Sequence, residues 1–180
     1  MSEVLLIVDL LEDFRVTLEK FPIINNVKRL IDGARSKGWP IIFVGDAHLE
    51  LPDRLELDLF WGKHAIRGTR GCQILTELAP VNEDYVLIKR KYSAFFETEL
   101  DSILRALEVR RILLAGILTD VCVRHTAADA FFRGYQTLIP RECVADLRQE
   151  INDQALKYMQ RMYGTQVVDI ETLLLSGDPL

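Results

Sequence analysis

Cys122 is the residue of this chain best placed to do chemistry. It lies in Thr119-Asp120-Val121-Cys122-Val123, after the apolar run Ile112-Leu113-Leu114-Ala115-Gly116 and before Thr126-Ala127-Ala128-Asp129-Ala130-Phe131. The first flank reads as a buried strand and the second as a helix. A cysteine where a strand gives way to a helix meets free amide N–H groups and the positive end of a helix dipole. Such a place favours the thiolate, which is the nucleophile. A nucleophilic thiol also needs a base for its proton and a cation beside it. Asp9 and Lys89 supply that pair, and backbone N–H groups of Cys122 and of the Gly116-Ile117-Leu118 turn supply an oxyanion hole. The competing reading is a buried structural cysteine, with Asp9 capping a loop and Lys89 on the surface, since free cysteine is among the most buried residue types.

A second group is Asp46-Ala47-His48 with the later His64. Side chains at i and i+2 of an extended segment point the same way. Two imidazoles and a carboxylate suit Zn²⁺, Fe²⁺ or Mn²⁺ with positions left for water or substrate. Glu56 and Asp58 are further candidate ligands. The competing reading is a loop-capping Asp46 and two exposed histidines. Phe14, Phe60, Trp61 and Tyr92 fall in loops near the same place, where aromatic faces sandwich a flat ring; Phe14, Trp61 and Tyr92 are the candidate pocket residues. His125 lies one turn after Cys122, and a structural or subunit-contact role suits it better than catalysis. Cys72 and Cys143 lack acid and cation neighbours and read as packing residues.

These groups must be positioned by strands. Residues 4–8, 41–44, 85–88, 112–115, 136–139 and 166–168 read as six short apolar strands. Between them, residues 23–36, 100–107, 121–132, 151–163 and 170–175 have helical spacing of apolar positions. Strand–helix alternation with β-branched strands predicts an α/β fold, a three-layer, doubly wound parallel sheet with helices on both faces. Residues 46–71 and 92–98 fit neither pattern. Asp9, Asp46 and Lys89 each follow a strand, and Cys122 lies just beyond a fourth. In such sheets the ligand crevice lies outside the carboxyl ends of the strands, so all four are expected at one rim.

A length of 180 residues predicts one domain spanning 1–180. A formal charge of −5 with no basic stripe argues against nucleic acid. No segment is apolar and long enough for a membrane span. The start, Met1-Ser2-Glu3-Val4-Leu5, has no basic n-region, so a cytoplasmic location is expected. Three scattered cysteines form neither a disulfide framework nor a zinc-finger spacing.

The chain resembles the isochorismatase-like cysteine hydrolases, and most of all the nicotinamidases (pyrazinamidases). The likeness rests on Val8-Asp9-Leu10 with Asp13-Phe14, on Asp46-Ala47-His48, and on Trp61-Gly62-Lys63-His64-Ala65-Ile66-Arg67-Gly68-Thr69. It continues in Lys91-Tyr92-Ser93-Ala94-Phe95 and closes on Ala115-Gly116-Ile117-Leu118-Thr119-Asp120-Val121-Cys122-Val123. It implies a six-stranded parallel sheet and a Cys–Asp–Lys triad at Cys122, Asp9 and Lys89. It also implies a divalent metal on Asp46, His48 and His64 that holds a pyridine nitrogen and waters, with zinc first among the candidates. A cis peptide at Ile117-Leu118 and a homodimer or homotetramer are implied as well. The implied activity is hydrolysis of nicotinamide to nicotinate and ammonia through a cysteine thioester. Another small amide, or a carbamoyl or ureido compound, is the alternative substrate, and a binding protein without turnover is the non-enzymatic one. The chain departs from the nicotinamidases at Gly62 and Ala65, where they often have proline and cysteine, at Leu49, where many have proline, and at Leu57, where some have a glutamate ligand.

Overall fold

In the computed structural model, residues 2–59 and 61–175 are described; Phe60, one of the aromatics named above, lies outside them. The strands are β1 (Ser2–Val8), β2 (Ile41–Asp46), β3 (Tyr85–Lys89), β4 (Val109–Ile117), β5 (Gln136–Pro140), β6 (Val144–Ala145) and β7 (Gln166–Val168). All pair in parallel, in the order β3-β2-β1-β4-β5-β7, with β6 on β4. The helices are α1 (Arg15–Leu18), α2 (Ile23–Ser36), α3 (Arg54–Leu57), α4 (Leu100–Ala106), α5 (Arg124–Phe132), α6 (Gln149–Tyr163) and α7 (Ile170–Leu175).

Period-two alternation in β1 divides the core into two layers. Val4, Leu6 and Val8 pack with Leu104, Ala127, Ala130 and Met159, from α4, α5 and α6. Leu5 and Ile7 pack with Val27, Leu30, Ile31 and Leu173, from α2 and α7. Both faces of the strand are apolar because both are covered. The sheet has seven strands, not the six expected. The extra one, Val144–Ala145, pairs with Gly116 and Ile117, beyond the part of β4 that β5 accompanies. Two residues are too few to show a periodicity in sequence.

From β1 the chain builds outward to β2 and β3 on one side and to β4, β5 and β7 on the other. The carboxyl ends of β1 and β4 therefore flank the switch point where a crevice opens. The two strands approach closely there because Gly116, opposite Val8, has no side chain. A Cβ at that position would meet the Val8 carbonyl oxygen at 2.0 Å, and the backbone φ is +127°. Only glycine fits such a conformation and such a contact.

Candidate active site

Asp9 leaves β1 with φ 55°, in the left-handed region that aspartate tolerates better than most residues. Its amide donates to Val44 O (2.9 Å), and its Oδ1 accepts from the amide of Asp46 (2.9 Å). Lys89, the last residue of β3, is 1% exposed. Its Nζ pairs with Asp9 Oδ2 at 2.7 Å and Asp46 Oδ1 at 2.7 Å, and lies 3.4 Å from Cys122 Sγ. The buried ammonium thus ties three strand ends together, and the surface reading of Lys89 fails. Cys122 is buried in a single π-helical turn, Thr119–Val123, which precedes α5. The sequence reads as one helix from residue 121; instead, the Leu118 carbonyl accepts from the amides of both Val121 and Val123 (3.1 Å each). The Ile117–Leu118 peptide is cis.

The electrostatics differ from the sequence expectation. Burial first, and then the charge of Asp46, raise the Asp9 carboxyl to about 6 against the pull of Lys89. Burial, with the Asp9 and Asp46 carboxylates, pushes the Cys122 thiol well up despite Lys89. The sequence predicts an acidic thiol from its place at a helix start; desolvation and two carboxylates outweigh that effect. The thiol is thus held protonated beside the Asp9 carboxyl, which is placed to accept its proton. Burial opposes charge on Lys89 too, but Asp46 and Asp9 keep it firmly protonated.

Asp46, His48 and His64 converge one step outward, each with a ligand atom within 4.8 Å of the others. His48 extends β2 by an isolated parallel bridge to Ile66: its amide donates to Ala65 O (2.9 Å) and its carbonyl accepts from Arg67 (2.9 Å). That bridge brings the loop carrying His64 against the strand end. The Asp13 carboxylate also accepts from the amide of Ala65 (2.7 Å). His64 Nδ1 is 2.8 Å from Gly62 O, which turns Nε2 toward Asp46 Oδ2 at 3.9 Å.

His48 tests whether this group suits a cation. It is fully buried, yet neither ring nitrogen has a hydrogen-bond partner among the described residues. Nε2 faces Asp46 Oδ2 at 3.6 Å and Glu56 Oε1 at 3.9 Å, while Nδ1 faces Asp53 Oδ2 at 3.7 Å. An orphaned imidazole among three carboxylates is a costly arrangement in the absence of positive charge. The donor set fits a divalent ion between Asp46, His48 and His64. Glu56 stands close, paired with Lys91 at 3.3 Å, whereas Asp58 is exposed, bonded to Arg54, and takes no part.

A cavity of about 410 Å³ opens over both groups, lined by Asp9, Cys122, His64 and all three candidate aromatics, Phe14, Trp61 and Tyr92. The Trp61 indole N–H donates to Tyr92 OH (3.3 Å), and the Phe14 ring lies 5.7 Å from that of His64. Leu118 also lines it. His125 lies outside: it is exposed, its Nδ1 is 2.7 Å from Val121 O, and its ring contacts Tyr92 at 5.4 Å. Cys143 is buried in the core and Cys72 bonds to Thr69 O, so neither joins the site. Sequence reasoning missed Asp53, held by the amide of Leu49 (2.8 Å) and by Arg90 (3.1 Å). It also missed Lys63 at the cavity wall. Both sit in the irregular stretch after β2, where no periodicity signals a side chain's direction.

The Isochorismatase domain family matches residues 3–172. Among curated proteins, the uncharacterized isochorismatase family protein YaaI of Bacillus subtilis is 36% identical over 179 residues, 96% of this chain and 97% of that one. Among solved structures, N-carbamoylsarcosine amidase from Thermoplasma acidophilum is 32% identical with a TM-score of 0.86, covering 95% of this chain and 98% of that one. The pyrazinamidase/nicotinamidase of Streptococcus mutans is 32% identical with a TM-score of 0.84, covering 93% and 100%. A pyrazinamidase of Pyrococcus horikoshii, solved in complex with zinc, is 28% identical with a TM-score of 0.85, covering 94% and 99%. No helix among the described residues is long and apolar enough to cross a membrane.

Proposed function

The chain belongs to the isochorismatase family of hydrolases that cleave amide bonds, and on that premise we propose that it hydrolyses nicotinamide to nicotinate and ammonia, with Cys122 as nucleophile. The observation that carries the reading is the buried ammonium of Lys89 held against Asp9 at 2.7 Å and Cys122 at 3.4 Å, two residues that line a cavity sized for a small ring.

Asp9 takes the thiol proton as Sγ bonds to the carboxamide carbon. The amides of Leu118 and Cys122 receive the oxyanion. The C–N bond then breaks as Asp9 passes its proton to the leaving nitrogen, which departs as ammonia. A water gives a proton to Asp9 and attacks the thioester. The acid leaves and the proton returns to sulfur. Lys89 stays charged throughout and offsets the repulsion between the Asp9 and Asp46 carboxylates it bridges. Asp46, His48 and His64 would hold a divalent ion, zinc by preference, which when bound supplies an electrophilic point for a pyridine nitrogen. Phe14, Trp61 and Tyr92 wall the ring.

A second reading keeps the chemistry and changes the substrate to another small amide, or a carbamoyl or ureido compound. Lys63 at the cavity wall favours it, because its exposed ammonium, paired at the surface with Glu50 at 3.3 Å, can exchange that partner for a remote substrate carboxylate, which nicotinamide lacks. The similarity to N-carbamoylsarcosine amidase supports it to the same degree that the nicotinamidase supports the first. Ammonia release across a panel of nicotinamide, pyrazinamide and N-carbamoyl acids decides between them. Preference for nicotinamide supports the first reading, and activity confined to carbamoyl acids replaces it with the second. A Cys122→Ala protein retaining full activity would remove both.

A further inference from the structure

A carboxylate outside the triad holds the turn that carries Cys122. Strand β6 pairs Val144 with Gly116 and Ala145 with Ile117, so the chain leaves β6 at Asp146, beside the start of the turn Thr119–Val123. Asp146 is buried, 3% exposed. Its Oδ2 accepts from the amide of Asp120 inside the turn (2.8 Å), and its Oδ1 accepts from the amide of Leu147 (2.8 Å). Hydrogen bonds to an ionised acceptor are the strong kind, and here both oxygens are committed to backbone. A second tether lies next to the first. The Thr119 hydroxyl donates to Oδ1 of Asn152, on α6, at 2.6 Å, and both residues are buried.

The start of a helix leaves amides that no helical bond satisfies. The Asp120 amide goes to Asp146, and those of Val121 and Val123 go to the Leu118 carbonyl. The Cys122 amide, assigned above to the oxyanion, stands among them. Its direction is set by the pairings of its neighbours on either side. The sulfur has a separate support, because the Lys89 ammonium reaches it at 3.4 Å from the end of β3. Leu147 lines the cavity, so the same carboxylate also fixes a piece of the wall.

We propose that Asp146, with Asn152 beside it, is a positioning residue that aims the Cys122 amide at the developing oxyanion. This role rests on the reading of Cys122 as nucleophile and of its amide as an oxyanion donor. Loss of the Asp146 carboxylate therefore slows reactions that build negative charge on oxygen and spares those that do not.

Two reagents separate these classes without reference to the natural substrate. With p-nitrophenyl acetate, Sγ bonds to the carbonyl carbon, whose oxygen becomes an oxyanion. p-Nitrophenolate then leaves, and the thiol proton passes to Asp9. With iodoacetamide, Sγ bonds to the methylene carbon, iodide leaves and the proton goes to the same base; no oxyanion forms. Acylation is read as p-nitrophenolate released above a Cys122→Ala background, and alkylation as the mass of the peptide containing Cys122. Asp146→Asn keeps the side-chain size and one acceptor oxygen, but its NH₂ group cannot accept from the second amide. It is expected to slow acylation about 10- to 100-fold and to leave alkylation within about twofold of wild type. Thr119→Val cuts the Asn152 tether and is expected to show the same split; it decides the matter if Asp146→Asn does not fold. Acylation at the wild-type rate in the deciding variant overturns the proposal alone. So does an equal loss of both rates, which a merely structural carboxylate would give. A wild type that p-nitrophenyl acetate leaves unacylated overturns the nucleophile reading and the proposal with it.

Discussion

The Lys89 ammonium reaches the Cys122 sulfur at 3.4 Å although neither side chain has appreciable contact with solvent. A buried cation is tolerated only when paired, and here Asp9 and Asp46 each approach it to 2.7 Å. The lysine is therefore a structural keystone for the site as well as an electrostatic one. Lys89→Met is expected to leave two buried carboxylates facing one another and to cost about 3–5 kcal/mol of stability. It should also lower kcat by at least about 100-fold. Chemical denaturation and ammonia release on the same preparation check both. A variant with wild-type stability and activity would show the ammonium to be dispensable.

The carboxyl of Asp9 is raised to about 6, mainly by burial and next by Asp46. In the proposed mechanism Asp9 is the base, and it must be unprotonated before the thiol can react. Below pH 6 it is increasingly protonated, so kcat/KM is expected to fall about tenfold per pH unit there and to level off above pH 7. A profile of kcat/KM from pH 4.5 to 8 checks this. An unchanged rate down to pH 4.5 would mean that another group takes the proton.

Gly116→Ala addresses the junction of β1 and β4. The added methyl group would meet the Val8 carbonyl oxygen at 2.0 Å, at a backbone φ of +127° that alanine rarely adopts. Neither strand can withdraw without breaking the pairing that sets Asp9 opposite Cys122. A loss of at least about 3 kcal/mol is expected in urea denaturation. Gly68→Ala is the control, since its added Cβ meets nothing within 4 Å although its φ is also positive, +84°.

The periodic parts of the fold were legible from residues alone. On α2 the helical spacing of Val27, Leu30, Ile31 and Ala34 marks the buried face and the helix runs over the residues expected, although the spacing also assigns Ile24 to that face and the structure buries Ile23 there while Ile24 is only partly buried. Asp9, Asp46 and Lys89 were legible for a different reason: each follows an apolar strand, and parallel strands end on one rim. What escaped was set by single contacts rather than by repeats. Strand β6 is two residues long and exists because Gly116 and Ile117 extend past β5. The bridge between His48 and Ile66 that delivers His64 has no pattern to announce it. The high thiol pKa of Cys122 depends on how deeply the site is closed, which no linear pattern records.

Asp53 bears on the candidate cation site from behind. Its Oδ2 lies 3.7 Å from His48 Nδ1, on the far side of the ring from Asp46 and Glu56. A carboxylate there favours the tautomer with the proton on Nδ1, which leaves the Nε2 lone pair free to ligate a divalent ion. Asp53→Asn removes that preference, because the amide offers its own N–H to the ring. Divalent-ion affinity is expected to weaken about 10- to 100-fold, read by competition with a chromophoric chelator. Dialysis of the wild type against a strong chelator should abolish nicotinamide hydrolysis, and added zinc should restore it. Asp58→Asn is the control: that carboxylate is exposed and bonded to Arg54, so its loss should leave ion affinity unchanged. Equal affinities for wild type and Asp53→Asn would show that His48 is oriented by its backbone alone.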